Sequence, residues 1–194
     1  SEDIIKNYNY KGLIKEIYPQ IRKKDFEKKV DNNVFKIALS GQIYARNEFN
    51  DFLKELSKMN WKVHNKDIIL EYYGVWSEYF LDKNFNKKYR ENIKTYGFIP
   101  QDELLSKLNN CNMLYCPYFF SDDEVYKKVS QFSFPSKLVT YLSLNVPTLV
   151  HAPEYSSPAK FVSKYNCGFV VTDPIPANLQ EIIEKIDAQN CDLS

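Results

Sequence analysis

From Phe35 onward the chain alternates short apolar runs with stretches in which apolar residues return every three or four positions. Phe35-Lys-Ile-Ala-Leu-Ser40 reads as a buried strand closed by Gly41, and Phe49, Phe52, Leu53, Leu56 and Met59 follow at helical spacing. Ile68 to Tyr73 reads as a second strand ending at Gly74, and Ile93 to Tyr96 as a third ending at Gly97. The aromatic and charged stretch between them, residues 75–91, is expected to be helical. Pro100 opens a short helix carrying Leu104, Leu105 and Leu108, and Met113 to Cys116 is a fourth strand stopped by Pro117. Residues 118–133 read as a long loop, acidic at Asp122, Asp123 and Glu124 and basic at Lys127 and Lys128. A helix from Pro135 to about Leu144 and a fifth strand from Pro147 to His151 come next. Ser157 and Pro158 read as the N-cap and first position of another helix, which ends at Asn166-Cys-Gly168. Gly168 to Thr172 is a sixth strand, and Leu179, Ile182, Ile183 and Ile186 mark a last amphipathic helix.

Apolar strands that alternate with helices imply a parallel sheet covered on both faces. The expectation is an α/β, Rossmann-like doubly wound domain of about six strands over residues 34–194. Its ligand would sit at the carboxyl ends of the strands, which points to the segments after Ser40, Tyr73, Tyr96, Cys116 and His151. Residues 1–33 form a charged lead, with Leu13, Ile14, Ile17, Tyr18 and Ile21 on one helical face broken by Pro19. A membrane-surface helix and an interdomain connection both fit such a stripe. The interspersed Asp25 and Glu27 favour the connection.

Composition narrows the function. The 194 residues carry 26 Lys and Arg against 25 Asp and Glu, a formal net charge of +1. No global field draws nucleic acid or an anionic membrane, and a nucleic-acid partner is not expected. With 5 glycines there is neither a Gly-x-Gly-x-x-Gly nor a Walker loop. Cys111, Cys116, Cys167 and Cys191 lack knuckle spacing, and only His64 and His151 could assist them, so a metal site is not expected. Reduced, buried thiols fit a cytoplasmic protein. No apolar run approaches the roughly 20 residues of a membrane span, and no signal peptide opens the chain. Ser1 in place of Met reads as a boundary or a processed end.

Three segments carry candidate chemistry. In Ser133-Phe-Pro-Ser-Lys-Leu-Val-Thr-Tyr141, Pro135 suits a first helical turn. The amides of Ser136, Lys137 and Leu138 would then lack intrahelical acceptors, and the Lys137 charge would complete a phosphate site. An ordinary amphipathic helix with a solvated lysine fits the same residues. After the first strand, Gly41 would let backbone approach a ligand, and Arg46, one of three arginines, suits a forked phosphate contact. At the corner Tyr96-Gly-Phe-Ile-Pro100, Gly97 and Phe98 offer backbone groups and an aromatic face to a planar base. A tight turn with a buried Phe is the plainer alternative. His151 ends a strand on the ligand side, where a satisfied polar residue is the simplest reading.

The ordered set says more than its members. It runs Ser40-Gly-Gln-Ile-Tyr44, Glu71-Tyr-Tyr-Gly74, Tyr96-Gly-Phe-Ile-Pro100, Cys111-Asn-Met-Leu-Tyr-Cys-Pro117, Phe134-Pro-Ser-Lys-Leu-Val-Thr-Tyr-Leu142, Asn145-Val-Pro147 and Cys167-Gly168. This succession resembles the C-terminal domain of GT-B glycosyltransferases, specifically the retaining family 4 (glycosyl transferases group 1), over about residues 35–186. The resemblance implies a domain that binds a nucleotide-sugar, UDP-linked by family weight, with no cofactor and no metal. It places Gly41, Gln42 and Arg46 near the diphosphate, and Gly97 and Phe98 at the base. The helix start at Ser136 and Lys137 would receive the diphosphate, with Lys137 stabilising the departing nucleoside diphosphate, and Ser133, Pro135, Leu138 and Thr140 would join them in binding the substrate. Tyr118, with Phe119 and Phe120, would shape the sugar pocket or pack on a missing N-terminal acceptor-binding domain.

Departures from the family are specific. Thr140 stands where a Glu usually takes the ribose hydroxyls, and a hydroxyl supplies no charged acceptor. Phe132 replaces a partner Glu, and Asn145 replaces a Gly. A complete GT-B enzyme has two such domains, so this chain alone is expected to bind donor weakly and transfer nothing. The expected parent is a glycosyltransferase of surface polysaccharide or glycoconjugate synthesis, cytoplasmic or at the inner membrane face through peripheral association. A catalytically inactive GT-B-like interaction domain and half of a sugar-nucleotide epimerase are the other readings.

Overall fold

The computed structural model describes residues 26–27, 31, 33–75, 89 and 91–191. Almost all of the lead and of the stretch between the second and third expected strands lie outside these residues. Six strands run parallel: β1 (Val34–Ser40), β3 (Lys66–Tyr73), β4 (Ile93–Thr95), β5 (Met113–Pro117), β6 (Thr148–His151) and β7 (Phe169–Val171). β2 (Lys62–Val63) pairs antiparallel with the start of β3. The parallel order across the sheet is β4-β3-β1-β5-β6-β7. The chain therefore winds outward from β1 in one direction and then in the other. The crevice between the ends of β1 and β5 is the switch point, where ligands of open α/β sheets bind.

All six expected strands form. The side chains of β1, β3, β5 and β6 are largely buried on both faces, which is why these four read as nearly continuous apolar runs, whereas β4 and β7 at the sheet's edges are more open. On one face α1 (Arg46–Lys58) and α6 (Leu179–Cys191) cover Phe35, Ile37, Leu39, Leu70 and Tyr115. There Phe52 stacks on Tyr115 at 3.8 Å and 11°. On the other face α2 (Gln101–Asn109), α4 (Ser136–Leu142) and α5 (Ser157–Tyr165) cover Ala38, Leu114, Cys116 and Val150. Phe26, at the edge of the lead, packs with this second cluster.

Three local expectations are corrected. Residues 118–133 are not all loop: α3 (Glu124–Phe132) occupies the second half. The Asp123 carboxylate accepts from the Val125 and Tyr126 amides at 2.8 and 3.2 Å, which starts the helix. Its apolar residues Val125, Tyr126, Val129 and Phe132 are exposed, so it does not owe its stripe to the core. The cap of α5 is Ser156, whose hydroxyl accepts from the Ala159 amide, and Pro158 falls one place later than expected. The β2–β3 hairpin was not anticipated. Its bends use non-glycine residues at positive φ, namely Asn60, Trp61 and His64, which carry no glycine signal. Buried Asp187 of α6 ties this hairpin down through Lys66 Nζ at 2.6 Å and His64 Nδ1 at 3.0 Å.

Candidate functional site

A cleft of about 270 Å³ opens at the switch point. Tyr44 and Ala45 line it from the β1–α1 connection, and Pro117, Tyr118 and Phe119 from the end of β5. Val129 of α3 and the run Ser133 to Lys137 close the far side. Among the described residues no acidic side chain lines the cleft, and Lys137 is its one charged residue.

α4 is fixed against β1 by two contacts one helical turn apart. Lys137 Nζ donates to the Gln42 carbonyl at 2.7 Å. Tyr141, fully buried, accepts from the Ser40 amide at 2.7 Å and lies 3.1 Å from the Ser40 hydroxyl. The i, i+4 spacing puts both side chains on the face of α4 that meets β1. Burial lowers the Lys137 ammonium below the ordinary lysine range, and neighbouring Cys116 opposes that shift. Burial likewise pushes the Cys116 thiol up to about 12, so it stays protonated and unreactive at neutral pH.

Pro135 is the N-cap of α4 and supplies no capping side chain. The Leu138 amide donates to the Pro135 carbonyl at 3.0 Å, and the Leu138 side chain is in the core. The expectation that Leu138 joins Ser136 and Lys137 in offering a free amide is therefore corrected: the tight first turn uses it internally.

The structure brings five of the candidates into one cleft: Tyr118, Ser133, Pro135, Ser136 and Lys137. Tyr118 and Ser133 join hydroxyl to hydroxyl, and the Ser157 hydroxyl donates to the Ser133 carbonyl, so three connections are laced together. Gln42 reaches the cleft through its carbonyl on Lys137, and its side chain accepts from Tyr44 Oη. Gly41 stands just outside, at φ +74°, with its amide on the Tyr73 carbonyl and its carbonyl on Tyr72 Oη, both at 2.8 Å. Both of its backbone groups are thus engaged. Arg46 opens α1 on the exposed side, outside the cleft lining. Thr140 is half-buried on α4 and does not line the cleft. Gly97, at φ +65°, and Phe98, 85% exposed, lie two strands from β1 on the same carboxyl edge.

Sequence reading passed over Tyr141, Tyr44 and Glu48. Tyr141 follows Lys137 by four positions, which was the available signal. Glu48 is buried at the start of α1, and its Oε1 accepts from the Phe120 amide at 2.8 Å, holding the loop after β5. His151 is a satisfied core residue. Its Nε2–H donates to the Asp173 carbonyl at 2.8 Å and Nδ1 accepts from Tyr115 Oη at 2.9 Å. Among the described residues no three His, Cys, Asp or Glu side chains gather as a metal site, and no helix is long and apolar enough to cross a membrane.

Among solved structures, the chain is similar to the catalytic domain of cholesterol-alpha-glucosyltransferase from Helicobacter pylori. The TM-score is 0.56 at 14% identity, over 81% of this chain and 89% of that one. It is also similar to the UDP-GlcNAc 2-epimerase of Methanocaldococcus jannaschii, with TM-score 0.49 and 14% identity over 79% of this chain and 39% of that one. AviGT4, a glycosyltransferase involved in avilamycin A biosynthesis, matches with TM-score 0.46 and 12% identity over 88% of this chain and 48% of that one. The chain spans less than half the length of the last two. At these identities the likeness is one of fold. A search of curated proteins found no match. The family model of the glucosyltransferase 3-like C-terminal domain matches residues 43–192, from the β1–α1 connection past the end of α6. The chain belongs to that family and is the C-terminal domain of a GT-B glycosyltransferase.

Proposed function

We propose that this domain binds the nucleoside diphosphate of a sugar donor, UDP-linked, for a retaining glycosyltransferase of surface polysaccharide or glycoconjugate synthesis. One observation carries the reading. Among the described residues a half-buried lysine is the sole charge in a cleft at the switch point, held at the β1 end by the Gln42 carbonyl. A diphosphate in that cleft would meet a pre-positioned cation in a partly dehydrated setting, where charge pairing is stronger than in water. As the sugar departs, negative charge grows on the leaving diphosphate, and Lys137 is placed to stabilise it. Tyr118 and Ser133 add their linked hydroxyls to the cleft wall. The acceptor would come from a second domain across the cleft, so this chain alone would bind donor and transfer nothing.

Calorimetric titration with UDP, GDP and ADP, each beside its sugar conjugate, tests this. One nucleotide should bind selectively, and Lys137→Ala should weaken it by about 10- to 100-fold, the worth of a charge-assisted contact. Absence of binding by all three at millimolar concentration, in this chain and in its full-length parent, would reject the reading.

A further inference from the structure

The carboxyl edge holds a second polar constellation, on β3 beside β1 and at the end of β4. Glu71 of β3 is only 7% exposed, yet its described partners are two phenols and a thiol. Tyr73 Oη donates to its Oε2 at 2.6 Å, Tyr96 Oη lies 3.4 Å from Oε1, and the Cys111 thiol is 3.8 Å from Oε2. Tyr73 and Tyr96 stack at 4.9 Å and 13°, and Lys107 Nζ stands 6.0 Å over the Tyr96 ring. Tyr96 also extends the sheet, its amide donating to the Tyr72 carbonyl at 2.9 Å. The next two residues are Gly97 and the exposed Phe98. A buried carboxylate is costly, and an apolar side chain would fill a strand position more cheaply. What this one does is hold both tyrosines of the stack at once.

We propose that Glu71 is a positioning residue for nucleoside recognition. Through Tyr73 and Tyr96 it fixes the β4–α2 corner, so that Phe98 is presented as a preset face for the donor base. The proposal rests on the donor-binding reading above. Tyr96 stacks on Tyr73 with its hydroxyl toward Glu71, and Phe98, 85% exposed, is the most exposed aromatic ring of this corner. Its backbone must be held for stacking to be gained without an ordering cost.

The test separates the base from the diphosphate. UDP and inorganic pyrophosphate are titrated into the chain and into Glu71→Leu and Glu71→Gln, with hydrogen exchange followed over residues 93–100. Glu71→Leu should lose about tenfold in UDP affinity, the scale of one aromatic contact, with pyrophosphate affinity kept within about twofold. Exchange in the corner should rise. Glu71→Gln retains an acceptor oxygen and should recover most of the UDP affinity. An equal loss of UDP and pyrophosphate affinity, or unchanged UDP affinity, overturns the proposal. Should Glu71→Leu fail to fold, Tyr73→Phe with Tyr96→Phe makes the same cut while keeping the rings, and should show the same split. If neither the unaltered chain nor its full-length parent binds either probe, the donor-binding reading itself fails. Corner exchange then decides alone, and no rise in Glu71→Leu overturns the positioning role.

Discussion

Two glycines show how different physical causes hide behind one residue type. Gly41 sits at φ +74° with open space where a Cβ would project. Gly41→Ala should therefore cost only the left-handed backbone penalty, about 1–2 kcal/mol. At Gly168 a Cβ would lie 2.7 Å from the Thr148 carbonyl oxygen and 3.2 Å from Val162 Cγ1. There the alanine must push α5 and β6 apart, an overpacking cost of about 1–3 kcal/mol. Urea unfolding of the two variants should rank Gly168→Ala as the more damaging, with Gly41→Ala affecting the switch point alone. The reverse ranking would show that β6 and α5 yield easily. Both glycines were visible in the sequence as strand boundaries, but their separate reasons were not, since one is a torsion angle and the other a distance to a residue twenty positions earlier.

The elements were legible wherever the core enforced their period. β1, β3, β5 and β6 are buried on both faces, and α1 buries Phe49, Phe52, Leu53 and Leu56 in register. α3 escaped because its order does not come from burial. It begins at the Asp123 cap, is lined by Lys127–Glu124 at 3.0 Å, and leaves Val125 and Phe132 in solvent. Such a helix leans on its cap more than a core helix does. Asp123→Ala should cost about 1 kcal/mol locally. Amide exchange in residues 124–132 should rise several-fold while the strands keep their protection. A uniform rise through the whole domain would instead make α3 part of the cooperative core. The cleft was legible in half. Pro135-Ser136-Lys137 announces a helix start beside a cation, whereas Tyr44, Ala45 and Val129 enter the wall only because α3 and the β1–α1 connection fold toward it.

At the scale of the molecule, His151 links β5, β6 and the chain beyond β7 through Tyr115 and Asp173. Burial lowers its pKa below 6.5, partly opposed by its bond to Asp173 and by Glu48. The unfolded chain thus takes a proton at higher pH than the folded one does. The resulting stability is fully present above pH 6.5 and is lost as the pH falls toward the folded value. The unfolding midpoint should decline from pH 7.5 to 5. That decline should be shallower in His151→Asn, which cannot titrate; parallel slopes would place the acid sensitivity elsewhere.

The contact between Ser40 and Tyr141 spans 101 positions of sequence, and that between Gln42 and Lys137 spans 95. A chain must therefore close loops of that length before the cation is in place, and loop closure over such separations comes slowly. On the proposed function, half-folded forms would hold no anion site. An anion that enters the cleft accordingly rewards only the finished domain, by about 2.7 kcal/mol when present at a hundred times its dissociation constant. Nucleotide supply would then govern how much folded protein a cell holds, as well as how often that protein is occupied.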